Sequence, residues 1–144
     1  MTLPVDPPSA FSHQDRRQRV IVLAEDDPSL RELLASALEL DGHRVIAVGT
    51  GGELVDQVRR IVLAGESGGK VDLLVSDVRM PGIDGLLAVK LLRENALRVP
   101  VVFITAFGDR WTRAEAAEQG AVLLSKPIEL WRLREIVREK VLPA

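Results

Sequence analysis

The chain contains no cysteine, which excludes disulfide bonds, thiolate nucleophiles and metal sites built from cysteine. It has only two histidines, His13 and His43, and their wide separation argues against a histidine-rich metal site. Any metal ion bound by this protein would therefore be held by oxygen atoms. Aromatic residues make up 3% of the chain, so the core is expected to consist of valine, leucine, isoleucine and alanine.

Long apolar runs are also absent. No stretch approaches the roughly 18 apolar residues that a membrane-spanning helix needs. The first 19 residues are interrupted by Pro4, Pro7 and Pro8, and they lack the continuous apolar segment of a signal peptide. The sequence therefore predicts a cytoplasmic protein without membrane attachment.

The net charge and the length of the chain further restrict the classes of function and fold. The formal net charge is -2, which provides no general attraction to nucleic acid or to an anionic membrane. A chain of 144 residues is long enough to form one domain with a good core. We predict a polar, proline-bearing tail over residues 1–19 and a folded domain over residues 20–141.

Five short apolar runs alternate with amphipathic segments. The runs predict strands at residues 20–24, 45–48, 71–75, 99–104 and 121–125, and the weaker pattern at 45–48 indicates an edge strand. Helices are predicted after the N-cap candidates Asp27, Thr50 and Asp109, over residues 86–97, and from residue 128 or 129. This alternation is typical of an α/β fold, a doubly wound five-stranded parallel sheet with helices on both faces.

Residues with useful chemistry directly follow these predicted strands. They are Glu25, Asp26 and Asp27 after the first strand, Asp77 after the third, Thr105 after the fourth and Lys126 after the fifth. Right-handed crossovers place the carboxyl ends of parallel strands on one edge, so these side chains are expected to lie together. Crowded carboxylates repel one another unless a cation neutralises them, which suits a hard ion such as Mg²⁺. Each residue also has an ordinary structural explanation, as a helix cap, a strand former or part of a turn.

Four motifs in this order resemble the receiver domain of bacterial two-component response regulators. They are the acidic pair after the first strand, the segment Asp-x-x-Met-Pro-Gly-x-Asp-Gly beginning at Asp77, Thr105-Ala106, and Lys126-Pro127. The resemblance extends from residue 20 to residue 141. It implies a flavodoxin-like (βα)₅ fold with strand order 2-1-3-4-5, which places the site at the topological switch point of the sheet.

The resemblance also implies a magnesium site. Asp26 would bind Mg²⁺ directly, Glu25 would bind it through water, and the backbone carbonyl of Arg79 would add a further ligand. Three acids are consecutive, so the position of the acidic pair has to be chosen among them. The spacing from Asp26 to Arg31 reproduces that of the family, which places the pair at Glu25 and Asp26. Asp27 would then serve only as the helix cap.

By the same resemblance, Asp77 would share the Mg²⁺ and accept a phosphoryl group from a sensor histidine kinase or a phosphotransfer protein. Thr105 would hydrogen-bond the phosphoryl group, and Lys126 would pair with it. The domain would catalyse its own phosphorylation and dephosphorylation without turning over other substrates. It would signal to a downstream effector protein through its fourth helix, fifth strand and fifth helix, and the fourth and fifth helices could also support a homodimer. Because no output domain follows residue 141, direct binding of nucleic acid is not expected.

The sequence departs from the family pattern at the fifth strand. Many receivers have an aromatic residue where this chain has Leu123, and segment 120–126 is one residue shorter than the common form. This departure leaves open a phosphorylation-independent interaction module of the same fold. An aspartate-nucleophile phosphatase would need an acid in place of Arg79, and a flavin-binding relative would need a phosphate loop after the first strand. Trp111 and Trp131 are open to two interpretations, as parts of an output surface or as residues packed in the core or partly buried.

Overall fold

A computed structural model describes residues 18–65, 69–95 and 97–141. The strands are β1 (Val20–Ala24), β2 (Arg44–Val48), β3 (Leu73–Asp77), β4 (Val101–Thr105) and β5 (Val122–Ser125). The helices are α1 (Pro28–Leu40), α2 (Gly51–Ala64), α3 (Gly85–Glu94), α4 (Arg110–Glu118) and α5 (Leu130–Val141). Strands and helices alternate along the chain, as the sequence pattern predicts.

The five strands form one parallel sheet in the order β2-β1-β3-β4-β5. This confirms the predicted α/β fold with strand order 2-1-3-4-5 and the predicted edge position of β2. Since β1 and β3 are neighbours in the centre of the sheet, the residues that follow them lie side by side. The order of the sheet therefore places Glu25 next to Asp77 before any side-chain contact is considered.

Helices cover both faces of the sheet, and the alternation of side chains along β1 decides which helix each residue contacts. Val22 and Ala24 belong to a cluster with α2, α3 and α4. Ile21 and Leu23 belong to a second cluster with α1 and α5. Every residue of β1 is buried, which explains why this strand appears in the sequence as a continuous apolar run.

Several element bounds differ from the prediction, two of them for an evident local reason. β4 begins at Val101 rather than residue 99, because Pro100 has no N–H and joins the sheet only through its carbonyl, which accepts from Leu74 N at 3.1 Å. α3 ends at Glu94 rather than residue 97, because Asn95 caps it. β3 is Leu73–Asp77 rather than 71–75, and α5 begins at Leu130 rather than residue 128 or 129.

Four helices begin with a side chain that accepts a hydrogen bond from the first turn. Asp27 accepts from Ser29 N, Thr50 from Glu53 N, Asp84 from Leu87 N and Asp109 from Thr112 N. The predicted caps Asp27, Thr50 and Asp109 are thereby confirmed. Asp84 is a further cap, and it belongs to the segment that leads out of β3.

The predicted N-terminal tail lies, up to residue 17, outside the described residues. Its last two residues contact the strand edge: Gln18 Nε2 donates to Gly42 O at 3.4 Å, and Arg44 N donates to Arg19 O at 2.8 Å. Within the described ranges, none of the helices combines the length and the apolar character needed to cross a bilayer.

Two glycines allow the start of a helix to pack directly on backbone. A Cβ at Gly85 would overlap the carbonyl oxygen of Asp77, and one at Gly51 would overlap the carbonyl oxygen of Ile83. Gly85 N also donates to Val78 O at 2.8 Å. The absence of a side chain at Gly85 is therefore what lets α3 begin against the end of β3.

We predict that Gly85→Ala lowers the free energy of unfolding by about 2 kcal/mol, because the methyl group forces α3 away from Asp77. Urea denaturation followed by circular dichroism measures this loss. Gly52→Ala is the matched control, since a Cβ there would have only Thr50 Oγ1 nearby, at 4.0 Å. The control is expected to be neutral or slightly stabilising, and an equal loss in both variants would contradict the packing argument.

A bidentate ion pair joins the end of α1 to α5. Arg134 Nε and Nη2 donate to the two carboxylate oxygens of Asp41 at 2.9 and 2.6 Å. The hydrogen bonds from Arg134 hold the pKa of Asp41 below its ordinary value of 3.8. A carboxyl group with a lowered pKa stabilises the fold above that ordinary value, and it loses this contribution as the pH falls through the folded value.

We predict that Asp41→Asn lowers the melting temperature at about pH 6 by no more than a few degrees, because the pair keeps contact with solvent. The difference from the native protein should narrow as the pH falls below 3.8 and through the lowered pKa of Asp41, where its carboxyl group becomes protonated. Thermal melts across this pH range test both statements. Asp56→Asn, an exposed acid on α2, is the control and should show no such difference.

Candidate functional site

Three carboxylates meet at the carboxyl edge of the sheet. Glu25 and Asp26 directly follow β1, and Asp77 is the last residue of β3, which pairs with β1 up to Ala24 and Ser76. One carboxylate oxygen from each of the three acids lies within 4.8 Å of the others. Glu25 and Asp77 are buried, whereas Asp26 is exposed. The cluster is therefore open to solvent on the side of Asp26.

Lys126 brings a positive charge into this cluster from β5. Its Nζ lies 3.0 Å from Asp77 Oδ2 and 3.3 Å from Glu25 Oε1. The backbone N–H of Lys126 donates to Thr105 O at 2.8 Å, which ties the residue to the end of β4. Partial burial acts to lower the pKa of Lys126, but the hydrogen bond and charge of Asp77 and the charge of Glu25 raise it above its ordinary value. The ammonium is thus firmly charged.

Glu25 is the most deeply buried acid of the cluster. Burial raises its pKa from 4.5 to about 7, against the opposing effects of the Asp27 N–H and the Lys126 charge. Its Oε2 accepts from Asp27 N at 3.0 Å, while Oε1 has no hydrogen-bond partner among the described residues. The contact of Oε1 with Lys126 is therefore an ion pair without hydrogen-bond geometry. A buried oxygen without a hydrogen bond is costly unless another group satisfies it.

These donors fit a hard divalent cation. Three carboxylates supply only oxygen atoms, and Mg²⁺ prefers oxygen ligands and keeps several waters, for which the exposed side of Asp26 leaves access. Two of the three acids are buried with Lys126 as their only ion-pair partner in the described ranges. A cation of charge two would relieve the repulsion that remains.

The geometry also distinguishes Asp27 from the two acids that precede it. Asp27 is outside the carboxylate cluster, because its side chain caps α1 by accepting from Ser29 N at 3.2 Å. Arg31 is turned toward the backbone, where its Nη1 donates to Glu25 O at 2.9 Å. The cluster thus contains the acidic pair that the spacing to Arg31 selects, Glu25 and Asp26.

Thr105 lies at the end of β4, beside β3, but its hydroxyl bonds within its own loop. It accepts from Phe107 N at 3.0 Å and donates to Phe107 O at 3.1 Å. Arg79, two residues beyond Asp77, is exposed and places its guanidinium carbon 5.7 Å from the centre of the Phe107 ring. Phe107 thus connects the loops that follow β3 and β4. Sequence reasoning missed this link, because only the folded loops bring the two residues together.

Trp111 and Trp131 are exposed, whereas Leu123 packs partly buried against the core. Trp111 and Trp131 are 62% and 58% exposed, so of the two interpretations left open, core packing does not apply to them. Leu123, in place of the usual aromatic residue, pairs with Phe103 across the sheet and packs partly buried against the cluster of α2, α3 and α4. The position is thus filled by an aliphatic side chain that belongs to the core.

The assembled groups are suited to bind and transfer a phosphoryl group. Asp77 offers a carboxylate oxygen as nucleophile, and Lys126 offers an ammonium to the charged oxygens of the group. Phosphoryl transfer depends on in-line placement and charge stabilisation more than on acid–base chemistry.

Comparison with known proteins agrees with this geometry. The family model described as the response regulator receiver domain matches residues 21–138. The response regulator protein FleR of Pseudomonas aeruginosa is 37% identical over 123 residues, which cover 85% of this chain and 24% of FleR. The transcriptional regulatory protein TcrA of Mycobacterium tuberculosis is 36% identical over 128 residues, which cover 85% of this chain and 47% of TcrA. The chain thus spans between about a quarter and about half of the length of these relatives.

Solved structures show the same likeness. A putative response regulator from Chloroflexus aurantiacus has a TM-score of 0.74 at 28% identity, and the match covers 86% of this chain and 98% of that one. A CheY-like receiver domain protein from Methanospirillum hungatei has a TM-score of 0.76 at 18% identity, over 86% of this chain and 94% of that one, which is a likeness of fold. Since the family model matches most of the sequence and the sheet has the receiver topology, this chain belongs to the response regulator receiver domain family.

Proposed function

We propose that the chain is a phosphoreceiver: Asp77 accepts a phosphoryl group in a Mg²⁺-dependent reaction, and phosphorylation controls binding to another protein. The observation that carries this proposal is the cluster of Asp77 with Glu25 and Asp26, with Lys126 Nζ at 3.0 Å from the Asp77 carboxylate. The receiver domain is proposed to comprise residues 20–141, in a cytoplasmic protein.

In the proposed reaction, a carboxylate oxygen of Asp77 attacks the phosphorus of a phosphohistidine. The P–O bond to Asp77 forms as the P–N bond breaks, and the electron pair of that bond leaves with the imidazole of the donor. The product is an acyl phosphate on Asp77. Lys126 would exchange its contact with the free carboxylate for a charge-assisted hydrogen bond to a phosphoryl oxygen. The acyl phosphate would be removed by hydrolysis. Attack of water on phosphorus would break the P–O bond to Asp77, regenerate the carboxylate and release inorganic phosphate.

The residues that would hold Mg²⁺ are Asp26 and Asp77 directly, Glu25 through water, and Arg79 through its backbone carbonyl. When bound, the ion supplies positive charge to the oxygens of the phosphoryl group and neutralises the crowded acids. The chain's own groups do the remaining work. Asp77 is held at the rigid end of a buried strand, and the close packing of Gly85 against its carbonyl restricts the backbone behind it.

The hydroxyl of Thr105 offers a route from phosphorylation to a change of shape. In the unphosphorylated geometry this hydroxyl makes two hydrogen bonds to the backbone of Phe107. Turning it toward a phosphoryl oxygen would break both bonds and release the loop after β4. An aspartyl phosphate adds roughly one to two negative charges, by analogy with other phosphorylated side chains. A shift of the loop from about 1:99 to 99:1 would need about 5.5 kcal/mol of differential stabilisation.

The partners proposed for this chain are a sensor histidine kinase or phosphotransfer protein upstream and an effector protein downstream. Relatives carry names such as response regulator protein and transcriptional regulatory protein, and they are longer than this chain. The proposed output surface comprises α4, β5 and α5, where Trp111 and Trp131 are exposed. Exposed tryptophans are frequent anchors of interfaces, and the same surface could serve a homodimer.

We predict that the native protein gains one phosphoryl group when it is incubated with acetyl phosphate and Mg²⁺, and that Asp77→Asn gains none. The amide lacks the nucleophilic carboxylate but keeps the shape of the side chain. Intact-mass measurement reads out the result, and Asp56→Asn serves as a control for the loss of an acid elsewhere. If the native protein gains no group and also fails to bind beryllofluoride, the proposal is wrong, and a phosphorylation-independent interaction module becomes the better description.

We also predict that Asp26→Asn weakens Mg²⁺ binding by about tenfold or more, because it removes a direct charged ligand. Asp27→Asn is a closely matched control, since it changes the neighbouring acid while asparagine still caps α1. Isothermal titration calorimetry with MgCl₂ compares the two variants. The assignment of the acidic pair would be overturned by a loss in Asp27→Asn with Asp26→Asn unaffected.

A further inference from the structure

The edge of the sheet opposite the carboxylate cluster contains a hollow with a different charge. Its volume is about 310 Å³, and four of the residues that line it are basic: Arg19, Lys70, Arg98 and Lys140. Three of these residues precede strands, because Arg19 leads into β1, Lys70 toward β3 and Arg98 toward β4. Lys140 belongs to the last turn of α5. The hollow thus collects four basic residues at the amino edge of the sheet.

Direct ion pairing does not account for these four cations in the described part of the chain. None forms a salt bridge there, although acids pair with Lys126 and Arg134 elsewhere. Asp72 is the one acid among the described residues that line the hollow, and its Oδ2 accepts from the backbone N–H of Val20 at 2.7 Å. The hollow therefore has an excess of positive charge in a chain whose formal net charge is -2.

Helix dipoles explain only part of this arrangement. A cation in the last turn of a helix is stabilised by the partial negative charge of the helix end, which accounts for Lys140. It contributes less to the other three, because they lie on segments that lead into strands and the effect fades beyond the last turn of a helix. Four like charges around one concavity repel one another, so their convergence is favourable when an anion occupies the space between them.

We propose that this hollow is a binding site for a small anion that carries a pyrophosphate group or a comparably charged phosphate group. Guanidinium and ammonium groups together supply the donors that phosphate oxygens accept from. The volume lies at the lower end of the range for small-molecule sites, and the buried apolar side chains of Val71 and Val141 form part of the wall. A hollow of this volume agrees better with a small ligand than with a long polyanion.

The test is titration of the full chain with inorganic pyrophosphate by calorimetry in Mg²⁺-free buffer. Saturable binding is expected, and the double variant Lys70→Gln/Arg98→Gln should bind about tenfold more weakly, because it loses two charge-assisted contacts. The control is Lys90→Gln/Arg113→Gln, which removes one lysine and one arginine from exposed positions on α3 and α4. The control should retain the native affinity within about twofold.

The location of binding is checked by backbone amide shifts in NMR spectra. Pyrophosphate should shift the amides of Val71, Val99 and Val141 and leave those of Asp77 and Lys126 in place. Absence of saturable binding, equal weakening in both double variants, or shifts confined to the carboxylate cluster would each overturn the site.

The source of the phosphate group is distinguished by a parallel titration with ADP. Tighter binding of ADP than of pyrophosphate identifies a nucleotide ligand that uses the apolar wall, and equal binding identifies the free anion. Binding of an acidic peptide without any binding of pyrophosphate would overturn the proposal in favour of a protein partner. Phosphorylation of Asp77 by acetyl phosphate should be unchanged in both double variants, so the site and the phosphoreceiver function are tested separately.

Discussion

The candidate site depends on the contact between one ammonium group and two buried carboxylates. Lys126 reaches from β5 to the end of β3 and partly neutralises Asp77 and Glu25, which the sheet order forces together. One positive charge does not balance two buried acids and an exposed third when all three are ionised, and burial separately raises the pKa of Glu25 to about 7. The residues of the site therefore leave an excess of negative charge, which a divalent cation would neutralise.

The parallel sheet could be predicted from short-range patterns, and so could the edge at which the candidate residues gather, whereas the strand order 2-1-3-4-5 was implied by the resemblance to receiver domains. Apolar runs of strand length separated by amphipathic helices predict a parallel sheet, and parallel strands with right-handed crossovers bring Asp77, Thr105 and Lys126 to one edge. The helix caps could also be predicted from the sequence, since Asp27, Thr50 and Asp109 each bond to the backbone only two or three residues ahead. Errors occurred at element ends, where single residues such as Pro100 and Asn95 decide between continuing and stopping.

Other features depend on long side chains from separate elements, and local patterns do not reveal them. The contact of Arg79 with Phe107 joins two loops, and the ion pair of Arg134 with Asp41 joins residues 93 positions apart. The exposure of Trp111 and Trp131 likewise follows from how each helix is rotated on the sheet, which their spacing alone left undecided. The basic hollow was missed for the same reason, since Arg19, Lys70, Arg98 and Lys140 are scattered along the sequence.

The carboxylate cluster and the basic hollow lie at opposite edges of the sheet, and together they contribute a charge separation along the strand direction. Glu25, Asp26 and Asp77 mark its negative end, and Arg19, Lys70 and Arg98 mark its positive end. A charged molecule that approaches the domain exerts a torque on this charge separation, which turns one end of the domain toward that molecule before contact. Partners of opposite charge would thus meet different ends of the same domain, and encounters with either would become less frequent as ionic strength increases.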